Sequence, residues 1–191
     1  MKKLTLIFAL CALMLSGCGS TASSESGDTA AASAAVETAE GTAASEEKRV
    51  AKDGADIQTE DKSMPTRRPM EGGTKINMYF GDTVIPGVLN DSETAKALIA
   101  KLPYTQKVSR YSHDFCGVTE KLPYSEDEVH YGWLNGDIDY ATDAPYFTIL
   151  FEDEDVSEKY GYQVNIGVIT CPIENISSLE GDYEVRIELA E

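Results

Sequence analysis

The sequence predicts a mainly β fold: a small closed or nearly closed antiparallel β-barrel with one clear helix at about residues 92–102 and short helical turns. Three observations predict it. From Thr74 onward, short apolar segments are each cut off within a few residues by Gly or Pro, the punctuation of successive strands. Only one segment carries a helical period. The last segment alternates, with Tyr183, Val185, Ile187 and Leu189 on one face and Glu184, Arg186 and Glu188 on the other. Many strands with a single helix favour closure, because a barrel leaves no exposed edges.

In chain order, the first element is a leader. Lys2 and Lys3 form a charged start, residues 4–15 a short apolar run, and Leu15-Ser16-Gly17-Cys18 resembles the lipobox of bacterial lipoproteins. Small residues before the cysteine admit the signal peptidase, and the thiol takes the lipid. The apolar run is shorter than the ~20 residues that span a bilayer. Residues 1–17 are therefore expected to be a signal peptide and Cys18 the lipidated, palmitate-bearing anchor, which places the chain on the extracytoplasmic face of the cell membrane.

Residues 18–73 follow, rich in Ala, Ser, Thr, Gly, Glu and Asp and without Tyr, Trp or Phe. Such a segment has too little to bury to offset its conformational entropy and is expected to be a disordered tether. As a coil it would reach on the order of 40 Å. Met64-Pro65 and Arg67-Arg68-Pro69 end it as a proline-marked spacer.

All ten tyrosines, the one tryptophan and every phenylalanine except Phe8 lie after residue 73, and residues 74–191 suit one domain. Strands are expected at 75–80 and 83–89, the second with Pro86 at an edge or bulge. The helix begins at Asn90-Asp91-Ser92, whose side chains can cap its amides, with Glu93 near the positive end of the dipole. Ala95, Leu98, Ile99 and Leu102 make its buried stripe, and Pro103 stops it. Further strands are expected at 105–111, 115–118, 137–140, 146–152, 163–169 and 183–189.

Four segments give these residues a family likeness: Leu89-Asn90-Asp91-Ser92-Glu93-Thr94-Ala95 leading to Leu102-Pro103-Tyr104-Thr105, Glu120-Lys121-Leu122, Gly136-Asp137-Ile138-Asp139-Tyr140, and residues 147–151 with Ile166-Gly167-Val168-Ile169. Over about residues 74–191 the sequence resembles the bacterial cyclophilin-like proteins, small domains of largely undetermined function. The resemblance implies a β-barrel flanked by one or two helices and raises prolyl isomerase activity. The isomerase motifs do not match. Gly132-Trp133-Leu134-Asn135-Gly136 is only superficially similar to the tryptophan-bearing segment of true cyclophilins, and Arg110 and Arg186 lack phenylalanine-rich surroundings in the sequence.

No catalytic residue, metal site or cofactor is assigned. Ser112-His113-Asp114 is no triad, since triad members meet from separate segments. His113, Cys116 and His130 have no recognised zinc spacing, and Glu152-Asp153-Glu154-Asp155 lacks the spacing that wraps calcium. Glu126-Asp127-Glu128 is expected to begin an exposed helical turn. The sequon Asn175-Ile176-Ser177 is incidental in a bacterial lipoprotein. Cys116 and Cys171 either form a disulfide, as an exported address permits, or remain two separate buried thiols.

The net charge of −17 excludes nucleic acid as a partner, because phosphate binding needs clustered Lys and Arg. Aromatic density between residues 104 and 162 predicts a ligand groove of Phe115, Glu120, Lys121, Tyr131, Trp133, Asp137 and Tyr140, some rings lining it and most serving the core. The expected partners are the membrane, through Cys18, and a peptide, small ligand or protein held in that groove. A diverged isomerase and a structural accessory domain of a membrane-associated complex are the alternatives.

Overall fold

A computed structural model describes residues 48–191, so the leader, Cys18 and the tether up to residue 47 lie outside the described residues. The described part belongs to one compact unit, Ser45–Glu191.

Nine strands are present: β1 (Thr74–Phe80), β2 (Thr83–Leu89), β3 (Tyr104–Arg110), β4 (Asp114–Val118), β5 (Val129–His130), β6 (Asp137–Ala141), β7 (Tyr146–Leu150), β8 (Gln163–Ile169) and β9 (Asp182–Leu189). All pairings are antiparallel, in the order β2-β1-β9-β3-β4-β7-β6-β8, and β8 returns to β2 to close an eight-stranded barrel. Strand β5 is an extra rung on β8. The eight expected strands are therefore the eight barrel strands.

Closure depends on a close approach. A Cβ on Gly167 would stand 2.5 Å from the Val88 carbonyl oxygen, so only glycine lets β8 lie against β2 there. Pro86 sits one residue before that ladder begins, where only its carbonyl is used, accepting from the Thr170 N–H at 2.8 Å. It is neither at a free edge nor in a bulge. It occupies the position in a paired strand where no donor is needed.

Alternation fills the interior. β1 turns Ile76, Met78 and Phe80 inward, β2 turns Ile85 and Leu89, and β9 turns Val185 and Ile187. Leu189 runs past the core and is exposed. Phe80, Phe115, Phe151 and Tyr183 meet edge to face, with centroids 5.2 to 6.1 Å apart, the arrangement their ring quadrupoles favour. Helix α1 (Glu93–Ile99) is capped by Ser92, whose Oγ accepts the Ala95 N–H at 3.1 Å, and it buries Ala95 and Leu98. A short α2 (Glu174–Ser177) precedes β9, and 3-10 turns occupy Glu126–Glu128 and Glu154–Lys159.

One expectation fails over part of its length. Residues 48–73 do not behave as a free tether; they lie on the barrel as a strap. Val50 bridges Tyr131 in parallel, and Ala51, Pro65 and Thr66 are buried. The strap orders itself by borrowing the barrel's surface and backbone partners. Among the described residues no helix is long and apolar enough to cross a membrane.

Candidate functional site

The strap builds the site. Its first attachment is a backbone exchange, the Ala51 N–H donating to the Tyr131 carbonyl at 2.8 Å and the Tyr131 N–H to the Arg49 carbonyl at 2.9 Å. It then folds on itself: Ile57 bridges Arg67, and the Gln58 N–H donates to the Thr66 carbonyl at 2.8 Å. Gln58 closes the intervening loop, its Nε2 donating to the Pro65 carbonyl at 2.8 Å. Thr66 N–H to the Asn135 carbonyl and Ile173 N–H to the Ser63 carbonyl, both 2.8 Å, pin that loop to the barrel.

From this hairpin Arg67 reaches a carboxylate with no exposed surface. Its Nε donates to Asp137 Oδ1 at 2.7 Å and its Nη2 to Asp137 Oδ2 at 2.9 Å. This is the bidentate fork that guanidinium and carboxylate planes allow. The Leu134 N–H adds a third donor to Asp137 at 2.9 Å. Burial works against the Arg67 charge, but Asp137 outweighs it and holds the guanidinium above its ordinary pKa.

Two residues along β6, Asp139 is also fully buried. Its Oδ1 accepts from Asn165 Nδ2 at 2.9 Å, and its Oδ2 has no partner. Burial, and then the charge on Asp137, push this carboxyl well above the usual range. His130 is held below the usual imidazole range by burial, and neither of its ring nitrogens has a hydrogen-bond partner. Asn165 continues the network outward: Asn90 Nδ2 donates to its backbone oxygen at 2.8 Å and to its side-chain oxygen at 3.2 Å. Beside these groups lies a cavity of about 220 Å³, walled by Arg67, Arg68 and Met70 of the strap and by Val88, Asn90 and Asn165 of the barrel. A second cavity of about 180 Å³ lies beside Arg67, Pro65 and Ile169.

A glycine shapes the strap's seat. Gly136 has φ +99°, a region L side chains rarely adopt, and a Cβ there would stand 2.5 Å from Pro65 Cβ. The backbone of Gly136 is thus the floor for the Pro65 ring.

Residues 78–188 match the cyclophilin-like family. The chain belongs to the cyclophilin-like family. The cyclophilin-like domain is also similar to a hypothetical protein of Archaeoglobus fulgidus solved in solution, at 16% identity and a TM-score of 0.47, over 62% of this chain and 95% of that one. No curated protein matches the chain. The strap, residues 48–73, lies outside the matched family residues, whereas Asp137 and Asp139 lie within them.

The predicted groove residues do not converge. Phe115 and Tyr140 are core, the Tyr140 hydroxyl accepting the Leu122 N–H at 3.2 Å. Trp133 is buried, donating its indole N–H to the Glu152 carbonyl at 2.8 Å and stacking on His113 and on Tyr160, which also pack on each other. Glu120 and Lys121 are exposed, Glu120 pairing with Lys101 at 2.8 Å. Tyr131 and Asp137 hydrogen-bond to the strap. The rings were needed to fill the barrel, which left too few for a groove.

Cys116 and Cys171 are both free thiols, so the disulfide alternative is corrected. Burial pushes the Cys116 thiol up to about 12. Arg110 also differs from its sequence context: its guanidinium lies 4.2 Å from the Phe151 ring centroid and 5.8 Å from that of Phe115. Arg186 instead lies over Tyr79 and pairs with Glu188. Among the described residues no three His, Cys, Asp or Glu side chains gather as metal ligands.

Sequence reasoning missed Arg67, Asn90, Asn165 and Asp139 as site residues. A signal for one existed: Asp137-Ile138-Asp139-Tyr140 places two acids in an otherwise apolar strand, and a buried acid demands a partner from elsewhere.

Proposed function

We propose that the chain is a lipoprotein held at the extracytoplasmic face of the cell membrane through Cys18, and that its cyclophilin-like domain binds a peptide segment of a partner protein. The lipobox and leader support the anchor. One observation carries the binding reading: the strap, itself a hairpin, engages the barrel as a peptide ligand engages a module, through backbone hydrogen bonds, one seated proline and one arginine in a buried carboxylate. Backbone bonds supply affinity in such modes and side-chain pockets supply specificity.

A second reading, a diverged prolyl isomerase, is favoured by Arg110 over Phe151. Both phenylalanines beside it are buried, at 0% and 1% exposure, so they offer no open aromatic floor to a substrate proline.

One experiment addresses both readings. The chain without residues 1–18, which leaves the unit Ser45–Glu191 whole, is titrated by NMR with short Xaa-Pro peptides. Binding predicts shifts at the amides of Leu134, Asn135 and Gly136 with cis–trans exchange at its uncatalysed rate of tens of seconds or slower. Accelerated exchange with shifts around Arg110 would establish the isomerase instead, and unmoved amides would reject peptide binding. Palmitate labelling that disappears in Cys18→Ala tests the anchor.

A further inference from the structure

We infer that the strap is an internal copy of the domain's ligand, and that the site selects a peptide in which a proline seated on Gly136 is followed two residues later by an arginine on Asp137. The inference rests on the peptide-binding reading above and names its substrate class.

Asp137 is supplied by the family domain, yet among the described residues its only ion pair is with Arg67, from a segment outside the matched residues. The barrel therefore builds a carboxylate site that its own strands do not neutralise. Asp139, two residues along β6, adds a second buried carboxyl with an unpartnered oxygen. A planar, bidentate cation is the group such a site recognises, and a lysine ammonium could make only a point contact. The seat for Pro65 is equally specific, because its floor is a bare glycine backbone.

The strap occupies this site without filling it. Cavities of about 220 and 180 Å³ flank Arg67, one toward Asn90 and Asn165, the other toward Ile169 and Thr170. Residues either side of the proline and arginine in a true ligand have room there that the strap leaves empty. The strap's own bridge, Ile57 to Arg67, and the Gln58 bonds set the turn that presents Pro65 and Arg67 to the barrel. The surroundings favour a cationic ligand, since residues 74–191 carry 22 acidic and 8 basic side chains.

The test uses a labelled peptide Met-Pro-Thr-Arg-Arg-Pro, the sequence of residues 64–69, with the chain lacking residues 1–18. Its affinity is measured by fluorescence polarisation for the wild type, for Arg67→Ala and Arg67→Lys, and for Arg67→Ala combined with Asp137→Asn. Vacating the clamp should tighten peptide binding about tenfold or more, and replacing the first arginine of the peptide by glutamine, or Asp137 by Asn, should each weaken it about tenfold, as expected for a lost charge-assisted bidentate pair. Equal binding of the arginine and glutamine peptides would overturn the arginine assignment and leave peptide binding intact. No binding by any folded variant would overturn both. Should Arg67→Ala not fold, Arg67→Lys, which keeps the charge but loses the fork, is judged by the same comparison of peptides.

Discussion

Replacing Arg67 by Ala removes the cation from a carboxylate that has no exposed surface. Two hydrogen bonds, at 2.7 and 2.9 Å, disappear. Asp137 keeps only the Leu134 N–H, and Asp139 loses the positive charge that opposes its own burial. Breaking one partner out of a buried ion pair costs about 3–5 kcal/mol, because the remaining charge stays desolvated. The Arg67 side chain is 16% exposed, so water reaches the vacated space and the lower part of that range applies, about 3 kcal/mol. For a unit of this size each kcal/mol moves the melting temperature by about 2–4 °C, which places the loss near 10 °C. Urea unfolding followed by circular dichroism measures it, with Asp137→Asn and the double variant completing a cycle. Coupling of about 2 kcal/mol or more between the two residues is expected. A loss below about 1 kcal/mol with no coupling would mean that the strap does not hold Arg67 against Asp137, and the site described above would be wrong.

Four further outcomes are expected. Gly136→Ala should cost about 1–3 kcal/mol, the range for forced overpacking, and should expose residues 48–66 to limited proteolysis while β6 stays protected. His130, whose pKa burial lowers, contributes stability that is present above the unfolded value near 6.5 and is lost as pH falls through it, because the unfolded chain takes up the proton first. His130→Phe should therefore flatten the stability profile between pH 7 and 5. Asp139 acts with the opposite sign: its raised pKa gives stability at low pH that is lost as pH rises, so Asp139→Asn should gain on the wild type toward neutral pH. Cys116, pushed up to about 12, should resist iodoacetamide at pH 8 in the native state and react on unfolding, and intact-mass measurement should find no Cys116–Cys171 bridge.

The barrel was legible because its strands obey simple alternation, as in Ile76, Met78 and Phe80 or Val185 and Ile187. Ser92 capped the helix where expected. The added strand Val129–His130 is two residues long and held by its pairing to β8, so it left no periodic trace. The strap was illegible for a related reason. Nothing in residues 48–73 packs against itself strongly enough to mark a core, and its order comes from Pro65, Thr66 and Arg67 meeting Gly136, Asn135 and Asp137, some seventy positions away. The groove was misplaced because aromatic density cannot distinguish rings that fill a lumen from rings that line a cleft. Phe115 and Tyr140 fill it.

The most direct test of the account is to cut the strap from the barrel and ask whether it stays. Glu71 and Gly72 are exposed and Gly72 has open space around it, whereas Gly73 packs on Val88 and Leu89, so a protease site inserted between Glu71 and Gly72 can be cleaved without touching either contact surface. The account predicts a strap that remains bound to a folded cyclophilin-like domain, exchanges with added Met-Pro-Thr-Arg-Arg-Pro peptide, and dissociates when Asp137 is replaced by Asn. A barrel that unfolds as the strap leaves would contradict it, for the strap would then be a structural part of the fold and not a ligand held by it.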